Sequence, residues 1–256
     1  MDRAPREHPL KADADTQLRL LDVQSRDTKL AQLVHRAHTL PDAASLADVE
    51  TRLARLRDEV VAAETIVADL TLEQRKADAD VEQVRDRARR DRELLDSGSI
   101  GDPKQLQSLQ HELTSLARRQ GELEDVELEI MERVEGASAA VVKLTADRDA
   151  LATERASLAQ AVAEQLAVIA DEQGRVAAER AELAVGIPAD LLSLYDKIRA
   201  DQGGVGAARL HRGRCDGCHL DIPPNEIEAL RAAAPDEVLR CEECRRILVR
   251  TAESGL

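Results

Sequence analysis

The four cysteines of this 256-residue chain are the side chains whose type and spacing point most directly to chemistry. They fall into two pairs, Cys215-Asp216-Gly217-Cys218 and Cys241-Glu242-Glu243-Cys244, with 22 residues between the pairs. A two-residue gap lets one tight turn aim two thiolates at a common point. Two such turns complete a tetrahedral shell of sulfur around a zinc ion. The reading is one structural zinc held by Cys215, Cys218, Cys241 and Cys244. Four thiolates leave the metal no open position for water, so such a centre folds a module and does not activate a nucleophile. His219 adjoins Cys218 and is the alternative ligand; a place beside the site or on the surface is the simpler expectation.

Arginines flank both pairs. Arg209, Arg212 and Arg214 precede the first, and Arg245 and Arg246 follow the second. They could meet phosphates or a partner protein. Yet residues 209–250 hold eight Arg and eight Asp or Glu, and no Phe, Trp or Tyr is present there to stack on bases. A second basic band, Arg85, Arg87, Arg89, Arg90 and Arg92, is interleaved with Asp86, Asp91 and Glu93 and reads as a solvated face. No nucleophilic triad, phosphate loop or paired carboxylate is recognisable. The expectation is a non-enzyme without a small-molecule substrate.

The elements that must position the cysteines are helical. The chain has no Phe, no Trp and one Tyr, while charged residues make up 34%. Without aromatics a thick core is hard to build, and the composition suits long helices with a narrow apolar seam. A first helix is expected over about residues 10–38, with Leu18, Leu21, Leu30, Leu33 and Val34 as its apolar positions. It breaks before Pro41, and Ser45-Leu46-Ala47-Asp48 reads as a capping box that restarts it. From Leu46 to Leu95, steps of alternating three and four meet 15 positions, of which 13 are apolar. This is a heptad seam, which a helix lying on a globular core would not sustain.

Gly98 and Gly101 end that helix. Asp102, Pro103 and Gln105 begin a third helix over about 103–185, as an N-cap, a first-turn proline and a capping-box partner. The turn at 96–103 makes the two helices antiparallel. The seam continues from Leu106 to Ile169 with 14 of 19 positions apolar, weakest at Arg148 to Arg155. Residues 1–185 are thus expected to form an antiparallel coiled-coil rod. A connector helix and a flexible Gly-rich joint follow over 186–204, and a zinc ribbon of short β-hairpins over 205–256. The fold class is mainly α.

The net charge of −14 disfavours long-range attraction to nucleic acid or anionic lipid. No apolar run is long enough to span a membrane, and Met1 to Asp15 lacks the apolar core of a leader. The chain reads as cytoplasmic, where reduced thiols favour metal over disulfides.

The segment Asp102-Pro103-Lys104-Gln105-Leu106-Gln107-Ser108-Leu109-Gln110 continues through Glu112, Arg118, Arg119, Leu123, Glu124, Asp125, Glu127, Leu128, Glu129, Met131 and Glu132. With the ending Cys241-Glu242-Glu243-Cys244-Arg245-Arg246-Ile247-Leu248, it resembles bacterial coiled-coil proteins that carry a C-terminal C4-type zinc ribbon. Members of that family often have Gly after the last cysteine, where this chain has Arg245. The family is described as a candidate nucleic-acid binder, and some members are linked to RNA polymerase sigma-54 and flagellar regulation. The resemblance therefore implies an adaptor in gene expression with a protein partner. Asp102, Pro103, Lys104 and Gln107 at the rod tip are candidate contacts. Nucleic-acid binding through the ribbon arginines is the alternative, and self-association stays open.

Overall fold

The computed structural model describes residues 10–256. Five helices and four short strands follow in the order α1 (Ala14–His38), α2 (Pro41–Asp96), α3 (Pro103–Ala184), α4 (Ala189–Asp201), β1 (Ala207–His211), β2 (Arg214–Cys215), α5 (Pro224–Ala232), β3 (Leu239–Arg240) and β4 (Ile247–Val249). They form two compact units. One contains the described residues up to Pro41 together with Ala161–Leu256; the other is Asp42–Gln160. This division differs from the expected rod followed by a separate ribbon. The cause is a core that α1 shares with the end of α3, α4 and the strands.

The Asp42–Gln160 unit is a helical hairpin. Val49, Leu53, Val60, Leu70, Ala77 and Val81 are the buried residues of α2, and all six lie on the expected seam. Val49 and Leu53 pack with Leu151 of α3. Ion pairs rule the flanks: Arg155 meets Glu50 at 2.8 Å, Arg133 meets Glu73 at 3.2 Å and Arg85 meets Glu124 at 2.7 Å. Rising numbers on α3 meet falling numbers on α2, so the helices are antiparallel. Arg155, a seam position in the sequence reading, pairs with Glu50, while Leu151 in the same weak stretch packs on Val49 and Leu53. Glu127, another polar seam position, has its carboxyl pushed up, by burial first and then by Asp78. At the turn Gly98 takes a φ of +64°, and the Asp102 carboxylate accepts from the Lys104 N–H at 3.0 Å, capping α3. Three arginines of the basic band pair locally: Arg85 also meets Glu82 at 2.8 Å, and Arg87 and Arg89 pair with Glu112 and Asp86.

Two helix starts depart from expectation. Helix α2 begins at Pro41, not at Ser45. A proline in the first turn lacks only an N–H that would have been unpaired there, so it starts the helix instead of delaying it. Helix α1 begins at Ala14, not near residue 10, because the preceding residues are extended. Ala12 N–H donates to Asp236 O at 2.8 Å and Val238 N–H donates to Leu10 O at 3.0 Å. The Gln17 amide fastens this pairing by donating to Ala12 O at 2.8 Å.

In the other unit, Leu20 and Val23 of α1 pack with Leu191, Tyr195 and Ile198 of α4 and with Ala207, Ile247 and Val249 of the strands. The sheet order is β2-β1-β4-β3; β1 and β4 are parallel and both outer pairings are antiparallel. The buried stripe of α1 is Gln17, Leu20, Val23, Gln24 and Asp27, whereas Leu18 and Val34 are exposed, contrary to the sequence expectation.

Polar groups on that stripe make a network. The Tyr195 hydroxyl donates to Asp27 at 2.7 Å, and burial followed by this carboxylate holds the phenol in its neutral form. Arg180 of α3 and Arg199 of α4 each reach Asp27 at 3.0 Å. Gln24 accepts from the Gly206 N–H at 2.7 Å and donates to Gly204 O at 3.0 Å. The glycine-rich segment expected to be a loose joint is therefore bonded to α1. Gly206 is required there, since a Cβ would stand 2.6 Å from Tyr195 O.

Asp27→Ala takes the buried carboxylate from Arg199, from the Tyr195 hydroxyl and from Arg180, which keeps Asp196 at 2.8 Å, and is expected to cost about 3 kcal/mol. Gly206→Ala is expected to cost about 2 kcal/mol by overpacking. Urea titrations read at Tyr195, the sole aromatic side chain, measure both. A loss under about 0.5 kcal/mol, the ordinary range for surface changes, would remove the network from its central place.

Candidate metal centre

Each cysteine pair sits on a turn that follows a strand of one small sheet. Cys215 closes β2, Cys241 follows β3, and pairing of β1, the partner of β2, with β4, the partner of β3, brings the two turns together. Around them pack Leu210, Ile222, Leu230, Leu239 and Leu248. Helix α5 lies in the 22-residue stretch and contributes Leu230 to that cluster.

The four sulfurs all lie within 4.8 Å of one another, with Cys215 to Cys244 at 3.8 Å and Cys218 to Cys241 at 3.9 Å. A tetrahedron with zinc–sulfur bonds of about 2.3 Å has edges of about 3.8 Å. A disulfide would need about 2.05 Å. The donor set thus fits one metal ion and not two cystines. His219 lies outside this ligand cluster.

Electrostatics agree. Burial pushes the Cys215 thiol up to about 12 and raises that of Cys241. Burial also opposes ionisation of Cys244, but the Arg246 backbone and side chain donate to its sulfur and bring it down to about 7. Four thiolates this close repel one another unless a cation neutralises them. The same N–H pattern serves both first cysteines: Gly217 and Cys218 donate to Cys215, and Glu243 and Cys244 donate to Cys241.

Residues 23–203 match the CT398-like coiled coil hairpin domain. The chain belongs to the CT398-like coiled-coil hairpin family. Residues 214–248 match the C4-type zinc ribbon domain, and the centre holds one structural zinc. Among relatives of this CT398-like chain, the uncharacterized protein Rv2229c of Mycobacterium tuberculosis is 39% identical over 244 residues, spanning 94% of this chain and 98% of that one. A solved structure from Mycobacterium smegmatis is 34% identical with a TM-score of 0.84, covering 94% of this chain and 100% of that one. CT398 from Chlamydia trachomatis is 18% identical with a TM-score of 0.69, covers 93% of this chain and 98% of that one, and shares the fold.

Three of the flanking arginines make contacts within the chain. Arg209 pairs with Asp216 at 3.3 Å. Arg214 donates to His219 O at 2.7 Å. Arg246 donates to Val205 O at 3.0 Å and Gln202 O at 2.7 Å. Arg212 and Arg245 are exposed, and both have left-handed backbones, with φ of 49° and 61°. Asp102, Pro103, Lys104 and Gln107 are all exposed at the hairpin turn. Sequence reasoning missed Gln24, Asp27, Arg180 and Arg199. Their signal is the three-four-three spacing of Gln17, Leu20, Gln24 and Asp27, which marks a buried stripe despite three polar members.

Zinc removal by a chelator, or Cys215→Ser, is expected to open Ala207–Val249 to protease and to expose Tyr195, because the strands and Tyr195 share one core. Helical circular dichroism from the Asp42–Gln160 hairpin should persist. A zinc-free protein with a protected ribbon and unchanged Tyr195 absorbance contradicts the structural role.

Proposed function

We propose that the protein is a non-enzymatic adaptor whose hairpin turn docks on a protein of the gene-expression machinery. The observation that carries this reading is the turn itself. Leu94 and Leu106 are 48% and 37% exposed beside the exposed Asp102–Gln107 segment. Exposed apolar side chains rimmed by polar ones suit a protein contact. Lys104, Leu106 and Gln107 are exposed beside Asp102 and Pro103, which serve as cap and first-turn residues.

Two further features support the reading. The zinc shell is closed by four sulfurs, which leaves the metal no catalytic position. Arg209, Arg214 and Arg246, three of the five arginines of the nucleic-acid alternative, are held in intramolecular contacts. Among the described residues no helix is long and apolar enough to cross a membrane. The resemblance to gene-expression regulators supplies the class of partner.

The test compares wild type with the Lys104→Glu, Leu106→Asp double variant. Photo-crosslinking from position 107 should capture a component of the transcription or translation apparatus, and the double variant should lose at least about tenfold of it, as truncated anchor residues do. Helicity should not change. Equal capture by the variant would refute the docking site. Binding of RNA or DNA that falls steeply with salt would favour the ribbon alternative instead.

A further inference from the structure

The two cysteine turns are built on one plan that extends beyond the cysteines. Each begins with an arginine, Arg214 or Arg240, and runs through Cys-x-x-Cys to a residue with left-handed backbone, His219 at φ 59° or Arg245 at φ 61°. His219 N–H donates to Cys215 O at 2.8 Å, and Arg245 N–H donates to Cys241 O at 2.9 Å. Cys215 N–H donates to Leu220 O at 3.0 Å, and Cys241 N–H donates to Arg246 O at 3.0 Å. The third bond comes from the arginines. Arg214 Nε donates to His219 O at 2.7 Å, and Arg240 Nε donates to Arg245 O at 3.0 Å.

Left-handed backbone is costly for any residue with a Cβ, because that atom crowds the residue's own carbonyl oxygen. Glycine removes the conflict. This chain has no glycine at either place. In both turns the guanidinium binds the very carbonyl oxygen that the Cβ crowds. A charge-assisted bond is stronger than a neutral one, and it tethers the far end of the turn to the residue before the first ligand.

We propose that Arg214 and Arg240 are positioning residues of the zinc centre: each holds its cysteine turn in a ligating shape that would otherwise call for glycine after the second cysteine. Neither touches the metal. Each acts through the backbone of the residue that follows Cys218 or Cys244, so the turn stays closed and the two sulfurs stay aimed at one point. The duplication argues against chance, since His219 and Arg245 are chemically unrelated while the arginine, its bond and the backbone are the same in both.

The experiment uses the full chain and measures the rate at which zinc passes to a chromogenic chelator, together with the thiolate-to-cobalt absorption of the Co2+-loaded protein. Arg214→Met is expected to release zinc on the order of tenfold faster, the effect of losing one charged hydrogen bond, and to weaken the cobalt band. His219→Gly should slow release, and in that background Arg214→Met should change little. Arg240→Met and Arg245→Gly should repeat the pattern, while Arg245→Gly should not rescue Arg214→Met. A structural contact without a positioning role would cost the same in both backgrounds. That result, or wild-type release from both Arg→Met variants, overturns the proposal. If Arg214→Met does not fold, Arg214→Leu, which has no donor for His219 O, gives the same comparison.

Discussion

The carboxylate of Asp27, buried at 3% exposure on α1, organises the unit that contains the metal centre. A buried charge is tolerable only when partners replace the water it has lost. Here two guanidiniums and a phenol do so, and they arrive from three places in the sequence: Arg180 on α3, Arg199 and Tyr195 on α4. Satisfying one carboxylate therefore fixes three helices at one point. Gln24, one turn earlier, extends the arrangement to the backbone of Gly204 and Gly206 and so to the start of β1. Apolar packing alone would let these helices slide, since Leu20, Val23, Leu191 and Ile198 are similar in shape and direction-free in their attraction. The hydrogen bonds choose one register.

The ribbon depends on that register as well as on its metal. Its strands are two to five residues long, and its inner residues are Ala, Leu, Ile and Val. Such a sheet is too small to stand without help. It receives two kinds. Zinc ties the two cysteine turns together from within, and structural zinc contributes about 10–16 kcal/mol of apparent binding energy in small modules. From outside, Ala207, Ile247 and Val249 enter the core that α1 and α4 provide. Leu10–Ala12 adds an extended pairing at Asp236–Val238.

Much of this was legible in the chain, and the failures have physical reasons. The cysteine spacing identified the metal ligands because two tight turns can converge on a tetrahedron in few ways. The heptad seam of α2 was legible because a repeated period leaves a strong record: every buried residue of that helix lies on it. Helix α1 was misread at its face. Its buried stripe carries Gln17, Gln24 and Asp27, and apolar periodicity alone selects Leu18 and Val34, which are exposed. The glycines at 203–206 were misread as slack, although Gly206 is small because Tyr195 is close. The ribbon arginines were counted as charge, while the structure uses several of them as hydrogen-bond donors to carbonyls. Long-range pairing of polar groups leaves no period in a sequence, so it cannot be seen before the fold brings the partners together.

The scarcity of aromatics, which first argued against a thick core, takes a more definite meaning from these contacts. One ring is enough because it is placed where it does two things. Its apolar body fills the space between α1, α4 and the strands, and its hydroxyl joins the Asp27 network. A phenylalanine would fill the same volume but leave the carboxylate one donor short. A residue smaller than tyrosine would leave a cavity and break the link between the polar network and the core. Gly206 must then stay free of a side chain, because the ring and the carbonyl of Tyr195 occupy the place of its Cβ. Tyr195 thus belongs to both the polar network and the apolar contact by which the helices of this unit meet its strands, and the identity of residue 195 follows from both.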